Sequence, residues 1–213
     1  MVKTSGLRES NPRMLVLVRH ARTGSNARRV VSARNDEPLS PDGERQCVLN
    51  RERLATDLTR KEYFPSADHI YSSPLLRARE SAAAMASSVE LDLRLTEIDT
   101  GDLAGRTWDE INAKYPNYHS RLRREGFNFR NPEGSESFGQ ATNRLESFAR
   151  ERLAFADHVV AMTHADILRL FACKVIGLHP RSWNQLFVAN LGFMAFAFQN
   201  EAFSLHAIVN PAY

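Results

Sequence analysis

Met14-Leu15-Val16-Leu17-Val18 runs without a polar residue straight into Arg19-His20. An unbroken apolar run this short suits a strand covered on both faces of a parallel sheet; a strand with one wet face would alternate. Farther on, His158-Val159-Val160-Ala161-Met162-Thr163 repeats the pattern and is again followed by a histidine, His164. Helix and strand signals alternate around these two runs. Ser40 is placed to cap a helix over about 40–59, with Pro41 in its first turn and Leu54 and Leu58 on one face. His69-Ile70-Tyr71 reads as a strand leading through Ser72-Ser73-Pro74 into an alanine-rich helix that ends near Met85, and residues 89–95 read as extended. Helices are expected over 137–154 and from about Asp166 to Val175, the latter stopped by Gly177. Residues 193–198 and 204–209, joined across Gln199-Asn200-Glu201, pattern as a hairpin. The expected fold class is α/β: a three-layer α/β/α sandwich with a mostly parallel central sheet and an antiparallel edge. Residues 106–132, polar and aromatic with weak apolar periodicity, predict a short helical lid inserted over one edge of the sheet. Residues 1–13 form a polar N-terminal arm, and residues 1–213 read as a single domain.

Composition bounds the function. At 213 residues, 43% hydrophobic and 25% charged, the chain has enough apolar material for a sizeable core, which excludes disordered, collagen-like and disulfide-stapled classes. Two cysteines, Cys47 and Cys173, are too few for a secreted framework. The arm lacks the apolar run of a signal peptide, and no stretch approaches the roughly 18 apolar residues of a membrane span. A cytoplasmic protein with no membrane partner is expected. The net charge of +3 is too small to imply a nucleic-acid stripe. Arg121-Leu122-Arg123-Arg124 reads as a solvated helix face, and Phe127, Phe129 and Arg130 as packing rather than a platform for a base.

In an open α/β sheet the ligand site lies outside the carboxyl ends of the strands. Two strand ends deliver a histidine there, His20 and His164, and Arg19 accompanies the first. A third, Tyr71-Ser72-Ser73-Pro74-Leu75-Leu76-Arg77, brings an arginine just inside a helix start, where anions are favoured. Arginine adds two aimed donors, so the expected pocket suits a phosphoryl group.

These residues carry a resemblance. Arg19-His20-Ala21-Arg22-Thr23-Gly24-Ser25-Asn26 resembles the Arg-His-Gly signature of the histidine phosphatase (phosphoglycerate mutase-like) superfamily. Ser72-Ser73-Pro74-Leu75-Leu76-Arg77-Ala78, Leu95-Thr96-Glu97-Ile98-Asp99-Thr100-Gly101 and Thr163-His164-Ala165-Asp166-Ile167-Leu168-Arg169 resemble its later motifs, in the family's order. The resemblance implies catalytic roles for His20 as phosphoryl acceptor, for Arg19, Arg77 and His164 as the clamp on the phosphoryl oxygens, and for Glu97 as proton donor. Asp99, two residues on, is the rival acid. Thr23, Asn26, Ser32 and Ala33 match positions lining the phosphate and substrate, backbone N–H groups around Ala165 could contribute, and a second phosphate could use Arg130 and Arg169. No metal and no cofactor are implied, and the partner is a small phosphate ester.

Departures from the family pattern are Ala21 and Ala165, where glycine is usual, Arg22, and Asp166 in place of a small neutral residue. The implied function is a metal-independent phosphomonoester hydrolase acting through a phosphohistidine. The alternatives are phosphoglycerate mutase-type transfer and, from another class, a weakly catalytic phosphate-ligand or nucleic-acid-binding protein. The comparatively short insertion favours the hydrolase. Cys47-Val48-Leu49-Asn50-Arg51-Glu52-Arg53 has the spacing of a cysteine-dependent phosphatase loop, yet it falls inside an expected helix whose amides are already bonded. The histidines lack metal-ligand spacing. Oligomeric state is left open.

Overall fold

The computed structural model describes the backbone of residues 12–60 and 69–211. Most of the expected polar arm, and the side chain of Leu58, lie outside the described residues. In chain order the elements are β1 (Arg13–Arg19), α1 (Gly24–Arg28), α2 (Pro41–Arg60), β2 (His69–Ser72), α3 (Leu76–Met85), β3 (Ser88–Leu91), α4 (Trp108–Lys114), α5 (Tyr118–Glu125), α6 (Phe138–Leu153), β4 (His158–Thr163), α7 (Ala165–Val175), β5 (Phe193–Gln199) and β6 (Ala202–Val209). The sheet order is β3-β2-β4-β1-β5-β6. β4 pairs parallel with both β1 and β2, and β3 is parallel to β2, whereas β5 runs antiparallel to β1 and β6.

The unbroken apolar run of β1 is explained by its position, with helices over both faces. Leu15 and Leu17 face a cluster with Phe148 of α6 and Ile167 and Phe171 of α7. Met14, Val16 and Val18 face the opposite way, against Cys47 and Leu54 of α2 and Ala78 and Ala82 of α3. Each such large side chain taken out of water contributes about 1.5–3 kcal/mol. Helices α4 and α5, which form the expected insertion, pack Ile111, Tyr118 and Leu122 into the first of these clusters.

Local chemistry sets the boundaries. Ser40 Oγ accepts from the Gly43 amide at 3.1 Å, and Ser40 N–H donates to the Arg22 carbonyl at 3.0 Å, so α2 starts against the loop that follows β1. Only glycine fits at position 43, since a Cβ there would stand 2.1 Å from the Arg22 oxygen. The hairpin turns through Asn200 and Glu201, both at positive φ (51° and 60°), the backbone a tight two-residue hairpin turn demands. One expectation is corrected: β3 stops at Leu91, and Leu93–Leu95 turns as a 3₁₀ helix. Asp92 causes the break by accepting from the Arg94 amide and guanidinium.

Candidate active site

β1 and β4 are neighbours in register, Arg19 opposite Thr163, so the residues that follow them emerge side by side. His20 N–H donates to the Thr163 carbonyl at 3.0 Å, and the His20 and His164 rings lie 5.2 Å apart, centroid to centroid. His20 Nδ1 is 2.6 Å from the Ala21 carbonyl. A carbonyl can only accept, so Nδ1 carries the proton and Nε2 keeps its lone pair. Burial, then Arg77 and Arg19, hold the His20 pKa well below its usual value, and burial and Arg77 do the same for His164. His20 is thus neutral at physiological pH, with one nitrogen free to attack. His164 Nε2 meets Ser73 Oγ at 2.8 Å, while its buried Nδ1 has no partner among the described residues.

Arg77 enters from the first turn of α3 and is 1% exposed. Its two terminal nitrogens donate to the carbonyls of Ala33 and Asn35, each at 2.7 Å. Ala33 holds its carbonyl there from the left-handed region, φ 53°. The loop around it is latched by Glu37, whose carboxylate accepts from the Thr23 and Ser32 hydroxyls and the Ser25 amide. Burial raises the Glu37 pKa, but these hydrogen bonds outweigh it and the net shift is down.

Glu97 ties the third motif to α7. Its carboxylate accepts from the amides of Ile98 (2.9 Å), Ile167 (3.0 Å) and Asp166 (3.2 Å), the last two being orphan donors at the α7 N-terminus. Asp99 is turned elsewhere, accepting from the Gly101 amide and from the Ser135 amide and hydroxyl. It anchors a loop.

A cavity of about 450 Å³ opens at these strand ends. Of the residues expected at the site, Arg19, His20, Asn26, Ser32, Ala33, Arg77, Glu97, Ala165 and Arg169 stand on its wall. His164 lies fully buried behind His20. Thr23 is corrected. It is fully buried off the wall, its hydroxyl accepting from Asn26 N–H to cap α1 and donating to Glu37. Among the departures, Ala21 is fully buried with its amide on Ser81 Oγ, and Arg22 and Asp166 both reach the cavity. Burial and the adjacent Glu97 push the Asp166 carboxyl up to about 7, against the pull of Arg169, 3.6 Å away.

Asn190, whose amide donates to the His20 carbonyl and to Asn26 Oδ1, and Glu37 were not found by sequence reasoning, because nothing local marks them. Trp108 and Trp183 also line the cavity, from well-separated stretches of chain. Cys47 lies inside α2, 3% exposed, and burial pushes its thiol up to about 11, which is wrong for a nucleophilic thiolate at neutral pH. Phe129 is fully buried, edge-on to Tyr118 and Phe138, and offers no face to a base. Among the described residues no group of three His, Cys, Asp or Glu side chains could hold a metal ion, and no helix is long and apolar enough to cross a membrane.

A neutral histidine framed by guanidinium groups at the ends of parallel strands matches one family over nearly the whole chain. The sequence profile of the histidine phosphatase superfamily (branch 1) covers residues 15–211; the chain belongs to that superfamily and is a phosphatase by class. It is similar to the metal-independent phosphoserine phosphatase of Arabidopsis thaliana, 31% identical over 78% of this chain and 70% of that protein. It is also similar to the "Probable phosphoglycerate mutase GpmB" of Citrobacter koseri, 29% identical over 76% of this chain and 74% of that one. The solved mycobacterial glucosyl-3-phosphoglycerate phosphatase shares the fold, with a TM-score of 0.77 at 24% identity, covering 93% of this chain and 100% of that chain.

Proposed function

We propose that this chain is a metal-independent phosphomonoesterase that acts on a small phosphorylated metabolite through a phosphohistidine on His20. The observation that carries this reading is the His20–Ala21 hydrogen bond, which leaves Nε2 unprotonated beside Arg19 and Arg77. Nε2 attacks phosphorus in line and the bond to the ester oxygen breaks. The departing oxygen takes a proton from the Glu97 carboxyl. Water then attacks phosphorus and gives a proton to Glu97, and the P–N bond breaks, restoring His20. Arg19, Arg77 and His164 stabilise the charge that builds on the phosphoryl oxygens, so guanidinium groups do the work often given to a metal ion. Asn26, Ser32, Ala33 and Ala165 complete the phosphate cradle. The relative named as metal-independent phosphoserine phosphatase supports hydrolysis without a metal. Two free buried thiols suit a cytoplasmic setting.

The test is phosphate release from p-nitrophenyl phosphate with EDTA present. Activity is expected to persist, to fall by several orders of magnitude in His20→Ala, and to survive in Cys47→Ser. Activity lost to EDTA and restored by magnesium would refute the reading. A mutase would instead interconvert 2- and 3-phosphoglycerate with little release of phosphate, which the relative named as a mutase makes the second reading to check.

A further inference from the structure

A second cavity, about 510 Å³, adjoins the catalytic one. Trp108, Arg169 and Trp183 stand on the walls of both, so the two are chambers of one cleft. The second chamber is built from rings. Trp108 stacks on His119 with centroids 6.3 Å apart and planes at 26°, and it leans towards Trp183 at 6.4 Å and 46°. Trp108 is nevertheless 38% exposed, a large ring left partly wet. Arg169 packs over the Trp183 ring at 5.7 Å. Arg123, Arg181 and Asn184 supply exposed donors around these faces, and no carboxylate among the described residues lines the chamber.

Flat faces with guanidinium and amide donors at their edges are how proteins hold a nucleobase. The base stacks, and its ring nitrogens and carbonyl oxygens accept from the side chains. A simple second anion would need only the cations and would leave the rings without a role. We propose that the second chamber takes the heteroaromatic base of a nucleoside monophosphate whose phosphate lies against His20. This rests on the phosphatase reading of the first chamber and names the substrate class for it. The ribose would span the junction at Arg169.

The chain has two tryptophans and both stand on the walls of both chambers, so intrinsic tryptophan emission reports occupancy of the whole cleft, and ribose 5-phosphate, which carries no base, gives the share due to the first chamber. Titration with AMP is expected to change that emission saturably, and ribose 5-phosphate and glucose 6-phosphate are expected to change it far less. In turnover, kcat/KM for AMP should exceed that for ribose 5-phosphate, the same ester without the base, by roughly ten-fold or more. Trp183→Leu should shrink that ratio towards one. Equal kcat/KM for the two esters, a ratio unmoved by Trp183→Leu, or glucose 6-phosphate as the preferred ligand would overturn the proposal. If p-nitrophenyl phosphate is not hydrolysed, the phosphatase reading fails on its own. The emission titration still decides the chamber: a saturable response to AMP that ribose 5-phosphate does not give upholds it, and equal responses or none reject it.

Discussion

Asp166 changes charge near neutral pH because burial and Glu97 push its carboxyl up to about 7, whereas in an unfolded chain an aspartate titrates near about 4. Between those values the folded protein keeps a proton that the unfolded chain has released. Its contribution to stability therefore falls as pH rises through the window and is fully lost above about 7. His20 and His164 act in the opposite sense: held neutral when folded, they lower stability as the pH drops below about 6.5. The clean measurement is the difference between parent and Asp166→Asn. The variant's thermal midpoint should gain on the parent's progressively from pH 5 to pH 8, and a difference that is flat with pH would show that Asp166 titrates normally.

Among the elements, α6 shows how a cap reaches the site. Ser137 Oγ accepts from the Gln140 amide at 3.1 Å and Gln140 Oε1 accepts from the Ser137 amide at 2.9 Å, a reciprocal capping box. From the same helix Arg144 donates to the carbonyls of Arg94 (2.6 Å) and Glu97 (3.2 Å) and pairs with Glu136. Arg144, inside the helix, thus holds the Glu97 carbonyl. Ser137→Ala should cost about 1 kcal/mol, a drop of roughly 2–4 °C in Tm for a chain of this size. A scanning calorimetry trace that does not move would show the cap to be redundant with the packing of Phe138 and Leu145.

At the scale of the whole molecule the net charge is only +3, yet among the described residues five arginines and two carboxylates face the catalytic cavity. A cleft lined mainly by one sign of charge concentrates its field on an incoming phosphate dianion. Salt at roughly 0.5 M shortens the screening length to a few ångströms and should quench that attraction. For p-nitrophenyl phosphate, kcat/KM is expected to fall several-fold between low salt and roughly 0.5 M, with kcat changing less. Insensitivity of kcat/KM to salt would mean that the guanidinium groups act only in contact with the bound phosphate.

How much of this was written in the chain divides by range. The three-layer sandwich was legible because a strand covered on both faces must be apolar at every position, as residues 14–18 are, and the second such run, β4, pairs with it in parallel. The placing of His20, His164 and Arg77 followed, since each is fixed by the end of an element that local pattern already defines. Long-range partnership was not legible. Whether Thr23 faces the phosphate or Glu37, and whether Asp166 turns into the cavity, depend on side chains brought together from distant stretches. Whether Ala33 lends its carbonyl to a buried arginine, and whether Trp108 and Trp183 wall one chamber, are decided in the same way. Periodicity records which face of an element is dry; it carries no record of which element lies on the other side. Only the packed tertiary structure supplies that neighbour, and with it the partners of every buried polar group.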